Sequence, residues 1–155
     1  MKKVAIAITL MVSSCAVVYA GEFDETIPMR DKGASTYYVK GEITGLGDID
    51  FMVDTGSGYM TINEHSLASL KANGTAKYVK NLEGVMADGT VKIVPVYLLT
   101  GVNIGGGCKL DNVEAAVFPG KTRFILGLSA LKKASPFIFS MNPPNLVLSN
   151  CKSDS

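Results

Sequence analysis

The sequence predicts a mainly β protein, a small closed or nearly closed barrel with one or two short helices. Three observations carry that expectation. Short runs rich in β-branched and aromatic residues recur down the chain, Gly and Asp-Gly turns separate them, and only residues 64–71 carry the end signals of a helix. The 155 residues are 47% hydrophobic, with 16 Gly, 6 Pro and no Trp, which fits one domain around one modest core.

In chain order, residues 1–20 read as an export signal. Lys2-Lys3 precedes an apolar run from Val4 to Val12, and Val18-Tyr19-Ala20 puts small residues where a signal peptidase needs them. The run is far shorter than the ~20 residues of a membrane span, so none is expected. Cleavage after Ala20 would remove Lys2 and Lys3 and leave 13 basic against 14 acidic side chains, a balance with no electrostatic case for nucleic acid. Val12-Ser13-Ser14-Cys15 resembles a bacterial lipobox, and a lipid anchor at Cys15 is the rival expectation. The apolar Ala-Val-Val-Tyr-Ala that follows ends in a cleavage site of its own and favours removal, giving an exported bacterial protein, periplasmic or secreted. Cys108 and Cys151 then remain, a candidate disulfide in an oxidising compartment. The sequence leaves open that both are free thiols, with Cys151 in a frayed tail.

Residues 21–34 are polar and without period, and are expected to be an N-terminal tether or a loose first strand. The domain proper is placed at 35–151, with 152–155 as a tail. Thr36 to Ile43 and Ile49 to Val53 read as strands around the turn Gly45-Leu-Gly-Asp48, followed by Asp54-Thr55-Gly56-Ser57 and a strand Tyr59 to Ile62. Asn63 sits at an N-cap position before Glu64 to Lys71, and Asn73-Gly74 can stop that helix. Lys77 to Leu99 reads as two strands around Ala87-Asp88-Gly89, an Asp-Gly hairpin tip. Val102 to Ile104, Val113 to Phe118 and Arg123 to Leu126 read as short strands, Leu128 to Lys133 as one helical turn. Phe137 to Phe139 and Leu146 to Leu148 flank Asn142-Pro-Pro-Asn145 as a last hairpin.

Asp54 carries the chemistry. A carboxylate can activate water for amide hydrolysis if a partner acid protonates the substrate oxygen, and two carboxyls about 3 Å apart do both jobs by sharing one proton. Phe51-Met-Val53 is an apolar approach to Asp54, Gly56 lets the backbone turn with its N–H free, and Ser57 can offer a hydroxyl to the carboxylate. The order strand, Asp-Thr-Gly-Ser, strand, helix, Asp-Gly hairpin, then Ile125-Leu126-Gly127 and Leu128-Ser-Ala-Leu131, resembles the retropepsin-like aspartic proteases, in particular their bacterial single-domain branch, from about Tyr37 to Leu148.

The resemblance implies an acid-protease barrel in which Asp54 is the catalytic aspartate and Thr55 hydrogen-bonds across a two-fold axis. Gly56 and Ser57 would complete the active loop, the hairpin Ala87-Asp88-Gly89 would be the flap, and Ile125-Leu126-Gly127 would brace the loop. Ser129 stands where some relatives carry an acidic or Arg-containing stretch, so bracing contacts there do not carry over. Independently of the family, a chain with a single Asp-Thr-Gly lacks the second carboxylate, which two-fold symmetry supplies most economically; a homodimer acting on peptide or protein substrates is expected.

Other signals weigh less. Gly120-Lys121-Thr122 fits a relaxed phosphate-loop pattern, yet Arg123 to Leu126 after it is β-like, so an ordinary turn is expected. One His, His65, and two Cys do not make the usual zinc site, and no metal or cofactor is expected. Asn73-Gly-Thr75 is a glycosylation triplet that reads more simply as a helix stop. The alternative function is a catalytically silent retropepsin-fold binding or scaffold protein of the cell envelope.

Overall fold

The computed structural model describes residues 23–152. The export signal, its cleavage after Ala20 and the lipobox Cys15 lie outside the described residues, as do residues 153–155. The elements are β1 (Phe23–Pro28), β2 (Arg30–Asp31), β3 (Tyr37–Ile43), β4 (Gly47–Val53), β5 (Met60–Asn63), α1 (Glu64–Ala72), β6 (Ala76–Val85), β7 (Val91–Ile104), β8 (Cys108–Phe118), β9 (Phe124–Leu126), α2 (Leu128–Leu131), β10 (Phe137–Met141) and β11 (Pro144–Ser149).

Six strands close on themselves in the order β3-β4-β9-β5-β8-β7, with β7 returning to β3 through Gly41↔Ile104 and Ile43↔Val102. The ring is the mainly β barrel, with two helices, that the sequence predicts. Closure removes most free sheet edges, and β2 and β6 extend the sheet beyond the ring. Its interior is filled by the inward-facing residues of its strands, among them Val39, Phe51, Ile62, Leu99 and Leu126, all fully buried. The closing strands approach tightly at Gly41, where a Cβ would stand 2.4 Å from the carbonyl oxygen of Asn103 and 2.8 Å from the Phe51 ring.

Two parallel pairings, β4 with β9 and β5 with β8, lie within this ring. Parallel neighbours need long crossovers, and those crossovers hold α1, the β6–β7 hairpin and the loop between β4 and β5. The helix starts where expected: the Asn63 side chain accepts from the Ser66 N–H at 2.9 Å, and Asn73 ends it while donating from Nδ2 to the Gly45 carbonyl.

Two expectations need correction. Residues 23–31 are not a tether: β1 pairs along its length with β11, and β2 pairs with β3. Only Ile27 of β1 is buried, so this strand has no alternating apolar signature, and its partner lies at the far end of the chain. Val102 to Ile104 is likewise not a separate strand, because the ladder to β8 runs through Leu99↔Val113 and Gly101↔Asp111 without a turn.

β1, β11 and β10 form a second, three-stranded sheet with β11 at its centre. Cys108, fully buried at the start of β8, is disulfide-bonded to Cys151 just beyond β11, tying this sheet to the barrel. The bond closes a 43-residue separation, for which chain entropy alone gives a stabilisation of about 4 kcal/mol. Cys108→Ala with Cys151→Ala is therefore expected to lower unfolding free energy by about 3 kcal/mol in urea titrations, and a reductant should change the stability of the wild type but not of that variant.

Asp50 on β4 gathers the cations of the neighbouring strands. Its Oδ1 accepts from Arg30 at 2.7 Å and Lys40 at 2.8 Å, and its Oδ2 from Lys32 at 2.8 Å. The hydrogen bond from Lys32, then that from Lys40, pushes its carboxyl from 3.8 down to about 2. A carboxyl lowered on folding stabilises above its unfolded value and loses that contribution as pH falls through its folded one. Asp50→Asn should thus cost about 1 kcal/mol near neutral pH, after allowance for solvent screening. Measured against wild type in urea, the difference should shrink as pH falls from ~4 through ~2 and vanish only below that.

Candidate active site

The loop after β4 is pinned at both ends to the segment after β9. The Asp54 N–H donates to the Leu126 carbonyl at 3.2 Å, and the Leu128 N–H donates to the Ser57 carbonyl at 2.8 Å. Between these points the loop is a tight turn in which the Ser57 N–H donates to the Asp54 carbonyl at 3.3 Å and the Gly56 N–H to Asp54 Oδ1 at 2.9 Å. Gly127 permits the approach: a Cβ there would lie 2.1 Å from the Tyr59 carbonyl oxygen. Ile125-Leu126-Gly127 therefore packs directly against the Asp54 to Ser57 loop.

The sequence missed two features of this support. Ser57 does not reach the carboxylate; its Oγ donates to the Tyr59 carbonyl at 2.7 Å and stiffens the exit of the loop instead. Ser129, set aside for lack of a transferable contact, accepts the Met60 N–H at 2.7 Å and donates to the Glu114 carbonyl at 2.6 Å, bridging β5 and β8 through α2. No sequence pattern marks a hydroxyl that joins two backbone groups on different strands.

Asp54 lies on the floor of a cleft of about 830 Å³. The walls are largely apolar, with Leu82, Val94, Phe118 and Ile125, and the β6–β7 hairpin reaches over the cleft with Val85, Met86 and Ala87 along its lining. Asp88 and Gly89 form the tip without lining the cleft. The Met86 N–H donates to Thr90 and the Gly89 N–H to Met86, with Gly89 at φ +80°. The Thr90 hydroxyl, then its N–H, donates to Asp88 Oδ1 and holds that carboxyl below the usual range. Thr55 is exposed beside the cleft and has no hydrogen-bond partner among the described residues. Cys108 and Cys151 take no part in the cleft.

Beside the cleft, Lys80 pairs with Glu114 at 3.1 Å, and its ammonium stands 5.4 Å from the Tyr59 ring centroid. Tyr59, then Glu114, pushes the Lys80 ammonium up. His65 is exposed on α1, and no cluster among the described residues could hold a metal ion. No helix among them is long and apolar enough to cross a membrane.

A closed barrel presenting Asp-Thr-Gly beneath a hairpin, with an apolar-apolar-Gly segment behind it, defines the class of retropepsin-like aspartic proteases. The model of the family described as "gag-polyprotein putative aspartyl protease" matches residues 39–133, and the chain belongs to that family. Among solved structures it resembles a retropepsin-like aspartic protease from Rickettsia conorii, with a TM-score of 0.57 and 23% identity over 80% of this chain and 88% of that one. At that identity the likeness speaks for the fold. No curated protein matches the chain.

Proposed function

We propose that this protein is an aspartic endopeptidase that acts as a homodimer on peptide or protein substrates after export, in the periplasm or secreted. The observation that carries this is the Asp54 carboxylate on the cleft floor. One of its oxygens is held by the Gly56 N–H, and the other has no partner among the described residues. Two such carboxyls across a two-fold axis would share one proton. The ionised one takes a proton from water as the oxygen attacks the scissile carbonyl, and the protonated one donates to the carbonyl oxygen. A proton then passes to the departing amide nitrogen as the C–N bond breaks.

Further features support the dimer and the compartment. The exposed Thr55 hydroxyl is free to bond to a second copy. The terminal sheet exposes Phe23 at 46%, Ile138 at 44% and Met141 at 64%, apolar surface of the kind that interfaces cover. The Cys108–Cys151 bond favours an oxidising compartment.

The test is incubation of the purified protein with a mixed peptide library, with and without pepstatin. New peptide ends should form at acidic pH, be suppressed by pepstatin, and form faster per subunit as concentration drives dimerisation. Their absence throughout pH ~3 to 7 would leave the protein a retropepsin-shaped binder. Thr55→Ala should weaken the dimer by about 1–3 kcal/mol in sedimentation equilibrium and lower activity in step. A fully active monomer would overturn the scheme.

A further inference from the structure

We propose that Lys121 and Arg123 make the cleft select peptides that carry a carboxylate side chain, next to an apolar one, within a few residues of the scissile bond. This rests on reading the cleft as a peptidase site. Both cations line the same cleft as Asp54. Arg123 stands two residues before Ile125, and side chains two apart along an extended segment share a face; Ile125 is itself part of the cleft wall. Lys121 is held in place by the turn before it, where the Gly120 N–H donates to Glu64 Oε2 at 3.1 Å.

Neither cation has a carboxylate within ion-pair distance among the described residues. Among the described residues the only partner of Arg123 is the Met52 thioether, at 3.6 Å from Nη1. Glu114 is paired with Lys80 instead, and Glu64 Oε2 accepts the Gly120 N–H. The lining thus holds two cations against one anion, and that anion, Asp54, is the one the reaction uses. A guanidinium presents a planar fork of N–H donors that matches a carboxylate in two parallel hydrogen bonds. Leu82, Val94 and Phe118 give the remaining contact surface to apolar side chains. In a homodimer the cation pair recurs on the other side of the scissile bond, so the preference extends to both sides of it.

The experiment reads binding and cleavage separately. Matched peptide libraries containing Glu or Gln beside an apolar residue are titrated against full-length Asp54→Asn protein by fluorescence anisotropy, and wild type is assayed for cleavage of the same peptides. Glu peptides should bind about five- to tenfold tighter than Gln peptides at pH 6. The advantage should disappear below pH ~4, where the peptide carboxyl is protonated. It should be lost in Asp54→Asn proteins that also carry Lys121→Gln and Arg123→Gln, and Arg123→Glu should turn it toward Lys peptides. Acid-selective binding without cleavage by wild type would uphold the selection and sink the peptidase. Cleavage with equal use of Glu and Gln peptides would sink the selection and leave the peptidase standing. Neither binding nor cleavage would overturn both.

Discussion

Asp54→Asn is expected to abolish peptide cleavage, by at least about a thousandfold in kcat/KM, while dimer and fold persist. The amide is nearly isosteric and can still accept the Gly56 N–H at Oδ1, so the turn that presents it should survive. It cannot act as the base for water. Because only the singly protonated carboxyl pair has both a base and an acid, wild-type kcat/KM should be bell-shaped in pH with an acidic optimum. Ser57 is not the carboxylate's hydroxyl donor, since its Oγ donates to the Tyr59 carbonyl. Activity that persists in Asp54→Asn, or a flat profile between pH ~3 and 8, would move the chemistry elsewhere in the chain.

The largest effect on stability is expected from Gly127→Ala. A Cβ at this position would stand 2.1 Å from the Tyr59 carbonyl oxygen, 2.6 Å from its carbon and 2.9 Å from the Ser57 carbonyl oxygen. These are backbone atoms of the active loop, so no side chain can swing aside to relieve the contact. Either the loop shifts and the Leu128 to Ser57 hydrogen bond breaks, or β9 separates from β4. A loss of more than about 3 kcal/mol follows from overpacking of this kind. Urea titration and the cleavage assay together check it: a variant with wild-type stability and activity would show that the loop does not rest on Gly127.

The barrel and the turn that carries Asp54 were legible because they rest on local chemistry. Alternating β-formers, the Asn63 cap, the Asp88-Gly89 tip and Asp54-Thr55-Gly56 each state their conformation within a few residues. What stayed hidden depends on direction or on distant partners. β1 reads as polar because a single residue, Ile27, turns inward, and nothing near it announces pairing with β11. Thr100-Gly101 looks like a break, yet its ladder partners on β8 carry the strand through. Lys121 and Arg123 read as a charged turn and the start of a strand; composition states their charge, and only the fold shows that both face the cleft that contains Asp54.

The pairing of β1 with β11 also bears on how the protein is made. Of the described strands β1 is the first to be synthesised, and the partner that completes it, β11, is the last, with Phe23 against Ser149 at one end. The disulfide adds the same dependence, since Cys108 waits for Cys151. Contacts this far apart in the chain form late and slowly, because the intervening loop must be closed before they reward it. A nascent chain of this design stays without its final lock until residues 144–151 have been made.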